Sequence, residues 1–234
     1  MTVVELAEDF NVTTATIRTD LNALEQKQLL VRSHGGAIPS VTKVINLKND
    51  EKAGINKDLK VRIAIAAAQL VDPDDSITIA SGSTMGYFAR AISQDARLNI
   101  VTPSLRIASD LIDNPMASVF LLGGEVSNLT CSAYGSYAAI GLDIFHTNKL
   151  FFGVEGFSVE DGLSCGVLDE GDLTKQMIKS STKIIVLADS TKFRRRGFCH
   201  ICNLKDIDIL VTDSGLSEEA QKAIIEQGIE LIIA

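Results

Sequence analysis

Positive charge is scarce in this 234-residue chain: 22 lysines and arginines stand against 30 aspartates and glutamates, a formal net charge of −8. That balance excludes histone-like wrapping of nucleic acid and a polybasic membrane surface. Long apolar runs are missing as well. None approaches the ~20 residues of a membrane span, and the first residues lack a signal peptide's charged start and apolar stretch. The expectation is a cytoplasmic chain with no membrane partner. Cysteine is sparse, with Cys131, Cys165, Cys199 and Cys202 making up the whole complement. Cys199-His200-Ile201-Cys202 has a ligand-like look, but a zinc site needs a second pair at suitable spacing. Residues 198–202 also look like a strand, which would send Cys199 and Cys202 to opposite faces. No metal, cofactor or disulfide framework is expected. The length fits one sizeable domain plus a small one, and a domain of ~190 residues buries about 70% of its unfolded surface without staples.

What is present begins with two short amphipathic segments. In residues 14–26, Ile17, Leu21 and Leu24 fall at i, i+4 and i+7, so they share the packing face of a helix. The outward face then carries Thr14, Ala15, Thr16, Arg18, Thr19 and Asn22. Short polar side chains and one arginine near a helix N-terminus suit a major groove, where arginine reads guanine and threonine meets a thymine methyl. Thr13 or Thr14 would be the N-cap. The preceding helix would bury Val3, Val4, Leu6, Ala7 and Phe10, with Asn11 in the turn. A small packing pair of no special purpose remains the alternative.

After the second helix, Gln28-Leu29-Leu30-Val31-Arg32-Ser33-His34-Gly35-Gly36-Ala37-Ile38 reads as a strand, a Gly-Gly turn and a return strand, in other words a wing. The ordered set ELAEDFNVTTATIRTDLNALEQKQLLVRSHGGAI resembles the start of the DeoR family of bacterial transcriptional regulators. That family pairs a winged helix-turn-helix with a sugar-phosphate sensor. The resemblance implies operator DNA as a partner and adds Arg32, His34 and Gly35 of the wing to the DNA-contacting set. Two departures stand out. The helix the family places before this pair is missing, since the sequence begins at Met1, so the start is expected to be trimmed, misassigned or reduced. Thr19 stands where the family usually has a second arginine. Residues 1–39 carry three basic side chains (Arg18, Lys27, Arg32) against five acidic ones, a net of −2. Phosphate contacts would be few and salt-sensitive, so tight binding would require a homodimer or homotetramer.

Residues 40–58 have weak periodicity and many polar residues and read as a linker running into a helix. From residue 59 to 234 helices and short, continuously apolar strands alternate: SITIA, LNIVT, SVFLL, KLFFGV, KIIVLA, DILVT and ELIIA. The pattern predicts an α/β domain with a mostly parallel sheet covered on both faces, and ligands beyond the C-terminal strand ends.

Several strand ends carry suitable chemistry. Ser81-Gly82-Ser83-Thr84 follows one strand and opens a helix, gathering N–H groups and hydroxyls at a positive helix end that suits a phosphate. Thr102-Pro103-Ser104 and Gly123-Gly124 occupy two neighbouring ends. For each the alternative is an ordinary cap or turn, or a glycine admitting another backbone. Gly153-Val154-Glu155-Gly156 follows KLFFGV, Asp169-Glu170 opens a helix, and Lys192 follows KIIVLA, placed to neutralise a phosphate as a point charge. Arg194, Arg195 and Arg196 read as a solvated charge run.

ASGST, VTPSLRIASDL, LLGGEV, FFGVEGFSVEDGLS and VLADSTKF extend the DeoR resemblance over nearly the whole chain. Its C-terminal domain is similar to the folds of ribose-phosphate isomerases and CoA transferases. The resemblance implies a phosphorylated sugar effector and carries over Ser81, Gly82, Ser83, Thr84, Gly123, Gly124, Gly153, Glu170 and Lys192 as pocket residues. Ala80 departs from the aspartate usual there. The rival reading is a sugar-phosphate isomerase, for which Glu155 and Glu170 are the candidate bases. An attached wing and recognition helix serve no catalytic purpose, so the expectation is a regulator and not an enzyme.

Overall fold

The computed structural model describes residues 2–26, 30–33, 36–39, 48–92 and 95–234. The chain divides into two compact units, residues 1–46 and 47–234.

In the smaller unit, α1 (Val3–Asp9) begins at Thr2, whose hydroxyl accepts from the Glu5 amide while the Glu5 carboxylate accepts from the Thr2 amide at 2.7 Å. This reciprocal capping box satisfies two N–H groups that a helix start leaves without partners. Asn11 makes the turn with φ of 51°, and α2 (Thr14–Gln26) follows. Thr13 caps α2, its hydroxyl accepting from the Thr16 amide at 3.2 Å. Val3, Ala7, Ile17 and Leu21 form the buried cluster, with Leu6 packed beside it. Val4 and Phe10, expected inside, are instead 57% and 68% exposed. Val3 and Ala7 are one helical turn apart and define the inward stripe; Val4 points about 100° away from it, and Phe10 lies past the helix end as its C-cap. Leu24 is 37% exposed although it shares the face of Leu21; α1, with seven residues, is about half the length of the 13-residue α2 it packs on. β1 (Leu30–Ser33) and β2 (Gly36–Pro39) pair antiparallel with Ser33 opposite Gly36, and Thr2 bridges to Gly36.

The larger unit opens with α3 (Asn49–Gly54) and α4 (Lys57–Ala68). Residues 49–58, read as linker from their polarity, are thus helical apart from Ile55 and Asn56. Polar side chains there hold α3 down: the Asn49 amide donates to Leu129 O at 2.9 Å and its side chain to Thr130 O at 3.1 Å. Residues 40–47, the rest of the expected linker, lie outside the described residues.

Next come β3 (Ser76–Ile79), α5 (Ser83–Ala91), β4 (Leu98–Thr102), α6 (Leu105–Leu111) and β5 (Ala117–Leu121). A hairpin of β6 (Glu125–Ser127) and β7 (Ser132–Tyr134) leads to α7 (Ser136–Leu142) and β8 (Thr147–Gly153). The chain continues through β9 (Gly156–Ser158), β10 (Gly162–Cys165), α8 (Leu168–Lys179), β11 (Ser181–Leu187) and β12 (Cys199–Cys202). It ends with β13 (Ile209–Thr212), α9 (Glu218–Ile225) and β14 (Glu230–Ile233). Seven strands form one sheet in the order β14-β13-β11-β8-β3-β4-β5, every pair parallel. β12, β10 and β9 form a separate antiparallel sheet.

The apolar runs are continuous because both faces of the sheet are covered. Along β8, Leu150 and Phe152 enter one core while Phe151 enters the other; along β11, Val186 and Ile185 divide in the same way. α4, α5 and α6 supply Ile63, Phe88 and Ile107 to the second core, and α7, α8 and α9 supply Leu142, Met177 and Ile224 to the first. Phe88 stacks on Phe151 with ring centroids 4.3 Å apart. At the N-terminal end of the sheet Lys149 bonds Leu70 O at 2.8 Å and both Asp72 and Asp75 at 2.6 Å. Among the described residues no helix is long and apolar enough to cross a membrane.

After β3 the chain builds outward through β4 and β5, then returns so that β8 pairs on the other side of β3. The order reverses between β3 and β8, and the crevice beyond the C-terminal ends of those two strands is where open α/β sheets bind ligands.

Candidate functional site

Two surfaces have functional chemistry. In the smaller unit Thr14, Ala15, Thr16, Arg18, Thr19 and Asn22 are all exposed on α2. Some of their polar groups are already engaged: the Thr16 hydroxyl meets Thr13 Oγ1 at 3.0 Å, and the Thr19 hydroxyl donates to Ala15 O at 3.1 Å. Arg18 is the basic side chain of this face. Arg32 is in β1, opposite Ala37. His34 and Gly35 lie outside the described residues.

The second surface is the crevice between β3 and β8. Past β3, Ser81 is 4% exposed and its hydroxyl lies 2.8 Å from Tyr134 Oη and 3.4 Å from Glu170 Oε1. Gly82, with φ of 142°, occupies the N-cap of α5 and makes no side-chain capping bond. Ser83 and Thr84 therefore start a helix, following β3, whose first N–H groups have no capping bond from the Gly82 N-cap, an arrangement that favours an anion.

Past β8, the turn Gly153-Val154-Glu155 carries a carboxylate bridged by two lysines. Lys52 of α3 pairs with one oxygen, and Lys192, in the 3₁₀ turn Ser190–Lys192, donates to the other at 3.1 Å. Burial pushes the Glu155 carboxyl up, but Lys192 and Lys52 outweigh it and hold the pKa down to about 2. Lys60 of α4 is 5% exposed and donates to the Lys52 carbonyl. Its burial lowers its pKa to about 8, opposed by Asp189. Asp189 caps the 3₁₀ turn, accepting from the Thr191 amide and from the Asn56 side chain at 3.3 Å. Three ammonium groups and two carboxylates, from α3, α4 and the ends of β8 and β11, so act on one another. Glu170, in the first turn of α8, has a pKa raised to about 7, chiefly by burial, with Glu155 adding to the shift and Lys52 opposing it. Burial, with help from Glu170, also pushes Tyr134 up to about 12.

Of the residues expected at the pocket, Ser81 is brought to Glu170 and Glu155 to Lys192, and Glu155 is near enough to Glu170 to raise its pKa; Gly82, Ser83, Thr84 and Gly153 adjoin them in the chain. Thr102 and Ser104 lie at the end of β4, and Gly123 and Gly124 follow β5, the edge strand. Ser104 is the N-cap of α6, its hydroxyl accepting from the Ile107 amide, and the Thr102 hydroxyl accepts from the Ser104 amide at 3.1 Å. Gly124, φ 139°, serves the chain itself, since a Cβ there would stand 2.3 Å from the Tyr134 carbonyl oxygen; Gly123 borders open space. Arg194, Arg195 and Arg196 are exposed, and Arg196 pairs with Asp161.

Sequence reasoning missed Lys52, Asn56 and Lys60. One signal was available: Lys60 sits on the buried stripe of α4, with Ile63, Ala64 and Ala67 at i+3, i+4 and i+7. A lysine in that position is buried with a partner or misplaced. Lys52 offers no such pattern, because its partner lies 103 residues away.

Residues 1–42 match the DeoR-like helix-turn-helix domain, and residues 55–214 match the DeoR C terminal sensor domain. YulB of Bacillus subtilis (strain 168), an uncharacterized HTH-type transcriptional regulator, is 36% identical over 98% of this chain and 88% of its own. The HTH-type transcriptional repressor CsqR of Escherichia coli (strain K12) is 28% identical over 100% of this chain and 89% of its own. Among solved structures, eIF2B beta from Chaetomium thermophilum superposes with a TM-score of 0.50 at 14% identity, covering 76% of this chain and 56% of that one, a likeness of fold alone. With a matched reading domain ahead of a matched sensor domain that spans most of its length, the chain belongs to the DeoR family of transcriptional regulators.

Proposed function

We propose that this protein is a repressor that reads operator DNA with the outer face of α2 and is released by a phosphorylated sugar bound in the crevice between β3 and β8. The observation that carries the effector half is the meeting of Lys52 and Lys192 on Glu155 past β8, with the buried Lys60 bonded to the Lys52 carbonyl, while the neighbouring strand β3 leads into the uncapped start of α5. Ammonium groups and helix N–H groups together match a phosphate monoester, and Ser81, Glu170 and Tyr134 offer hydroxyl and carboxyl partners to the sugar. The name of the relative CsqR favours repression over activation. Release requires that the effector prefer the weak-binding state; equal affinity for both states would change nothing.

Self-association belongs to this reading. Residues 1–39 have a net charge of −2, so one copy has little non-specific hold on DNA, and two or four copies would present paired recognition helices. α7 and the residues after it expose Tyr137, Ile140 and Ile144 at i, i+3 and i+7, 77%, 64% and 77% exposed, an apolar stripe suited to a second copy.

An isomerase would need a base with a pKa near neutrality. Glu170 meets that demand while Glu155 does not, so the enzymatic alternative turns on Glu170. The deciding experiment is a gel shift of the full chain on its upstream DNA across a salt series, with and without hexose and pentose phosphates, beside an isomerase assay on the same compounds. Sequence-specific retention relieved by one of them, with no turnover, is the expected result; turnover abolished by Glu170→Gln would replace the regulator with an enzyme. Arg18→Ala should cost about 1–3 kcal/mol and relax one base preference. Equal loss on every sequence would make Arg18 a phosphate contact.

A further inference from the structure

This inference rests on the effector reading above and concerns how the site is regulated. Glu155 presents one oxygen to Lys52 and the other to Lys192, and all three side chains are between 21% and 26% exposed. Two ammonium groups gripping one carboxylate is also how they would grip one phosphate. The backbone of Glu155 is fixed independently, its amide donating to Ser164 O at 2.9 Å, so the side chain can leave without the turn moving. We propose that Glu155 is a built-in competitor: its carboxylate holds Lys52 and Lys192 in place of a ligand phosphate, and a phosphate monoester binds by displacing it.

The exchange is selective for charge. A phosphate monoester carries close to two negative charges near pH 7 and three acceptor oxygens, whereas the carboxylate offers one charge and two oxygens. A dianion therefore gains more from the two lysines, with the buried Lys60 adjacent, than Glu155 does. Monovalent anions gain no such advantage, and the competitor keeps them out. Lys52 also ties the exchange to α3, which is otherwise held by the Asn49 bonds, by the Arg106–Asp50 ion pair and by Tyr87 Oη donating to Ala53 O at 3.2 Å.

The test is a calorimetric titration of the full chain with inorganic phosphate, at one ionic strength, for the wild type, Glu155→Gln, Lys52→Gln and Lys192→Gln. Expected is roughly tenfold tighter binding by Glu155→Gln and at least about tenfold weaker binding by each lysine variant. A purely structural ion pair predicts the opposite sign for Glu155→Gln. Unchanged or weaker binding by Glu155→Gln, with the lysine variants weakened, overturns the competitor and leaves the phosphate site standing. Wild-type binding that neither lysine variant alters, or no binding at all, overturns both. Should circular dichroism show Glu155→Gln unfolded, Glu155→Asp, too short to reach both lysines, is expected to bind more tightly than wild type by a smaller factor, and failure to do so overturns the proposal.

Discussion

Two strand ends of the sheet look alike in sequence and behave differently. Ser81-Gly82-Ser83-Thr84 follows β3 and Thr102-Pro103-Ser104 follows β4; each places hydroxyls ahead of a helix. At the β4 end the hydroxyls are consumed locally, Ser104 capping α6 and Thr102 accepting from Ser104. At the β3 end the cap position is a glycine, Ser81 turns to Tyr134 and Glu170, and the helix start keeps its N–H groups. A hydroxyl at a strand end is thus free for other partners only where it does not cap the following helix.

The largest effect expected to separate the two ends is one of pH. Glu170 carries a carboxyl raised in the folded state from 4.5 to about 7, so the folded chain binds its proton more tightly and stability falls as pH rises between those values. Glu155 acts with opposite sign: lowered to about 2, it contributes stability above pH 4.5 that is lost as pH falls toward 2. Each swing is on the order of 3 kcal/mol before solvent screening. Urea unfolding of the larger unit between pH 4.5 and 8 should show the decline in wild type and its loss in Glu170→Gln; a decline that persists would assign it elsewhere.

Lys192→Ala comes next. Losing a charge-assisted bond to the effector should cost about 1.5–3 kcal/mol, seen as a more than tenfold rise in the concentration needed to release DNA, with operator affinity unchanged. A normal response would move the phosphate site away from Lys192. Gly82→Ala should cost about 1–3 kcal/mol of stability, since its φ of 142° is one that side-chain-bearing residues rarely adopt, and should blunt the effector response as well. Smallest is Ser104→Ala, about 1 kcal/mol for a lost N-cap with the effector response intact; a lost response would erase the distinction between the two ends.

Much of the fold was legible because its signals are local. SITIA, KLFFGV and KIIVLA are short, branched and apolar throughout, which only strands covered on both faces tolerate, and the parallel sheet follows. The brief antiparallel strands β6, β7, β9 and β10 carry too few residues for any period to declare itself. α7 is a seven-residue helix whose apolar positions face both inward and outward, so it has no single stripe. The crevice was half legible. The residues supplied by strand ends stood where the sheet rule puts them, whereas Lys52 and Asn56 come from a polar stretch whose partners, Glu155 and Asp189, are more than 100 residues distant. In the smaller unit, Val4 and Phe10 were assigned inward by composition, and seven helical residues have room for only one inward stripe.

The pairing of β3 with β8 also has a temporal side. Ile77 meets Lys149 across 72 residues of chain, a long loop to close and a slow contact to form. During synthesis α2 leaves the ribosome early, while the crevice waits for β8 and then for Lys192. The smaller unit is therefore complete while the sheet still lacks β13 and β14 and the crevice still lacks Lys192.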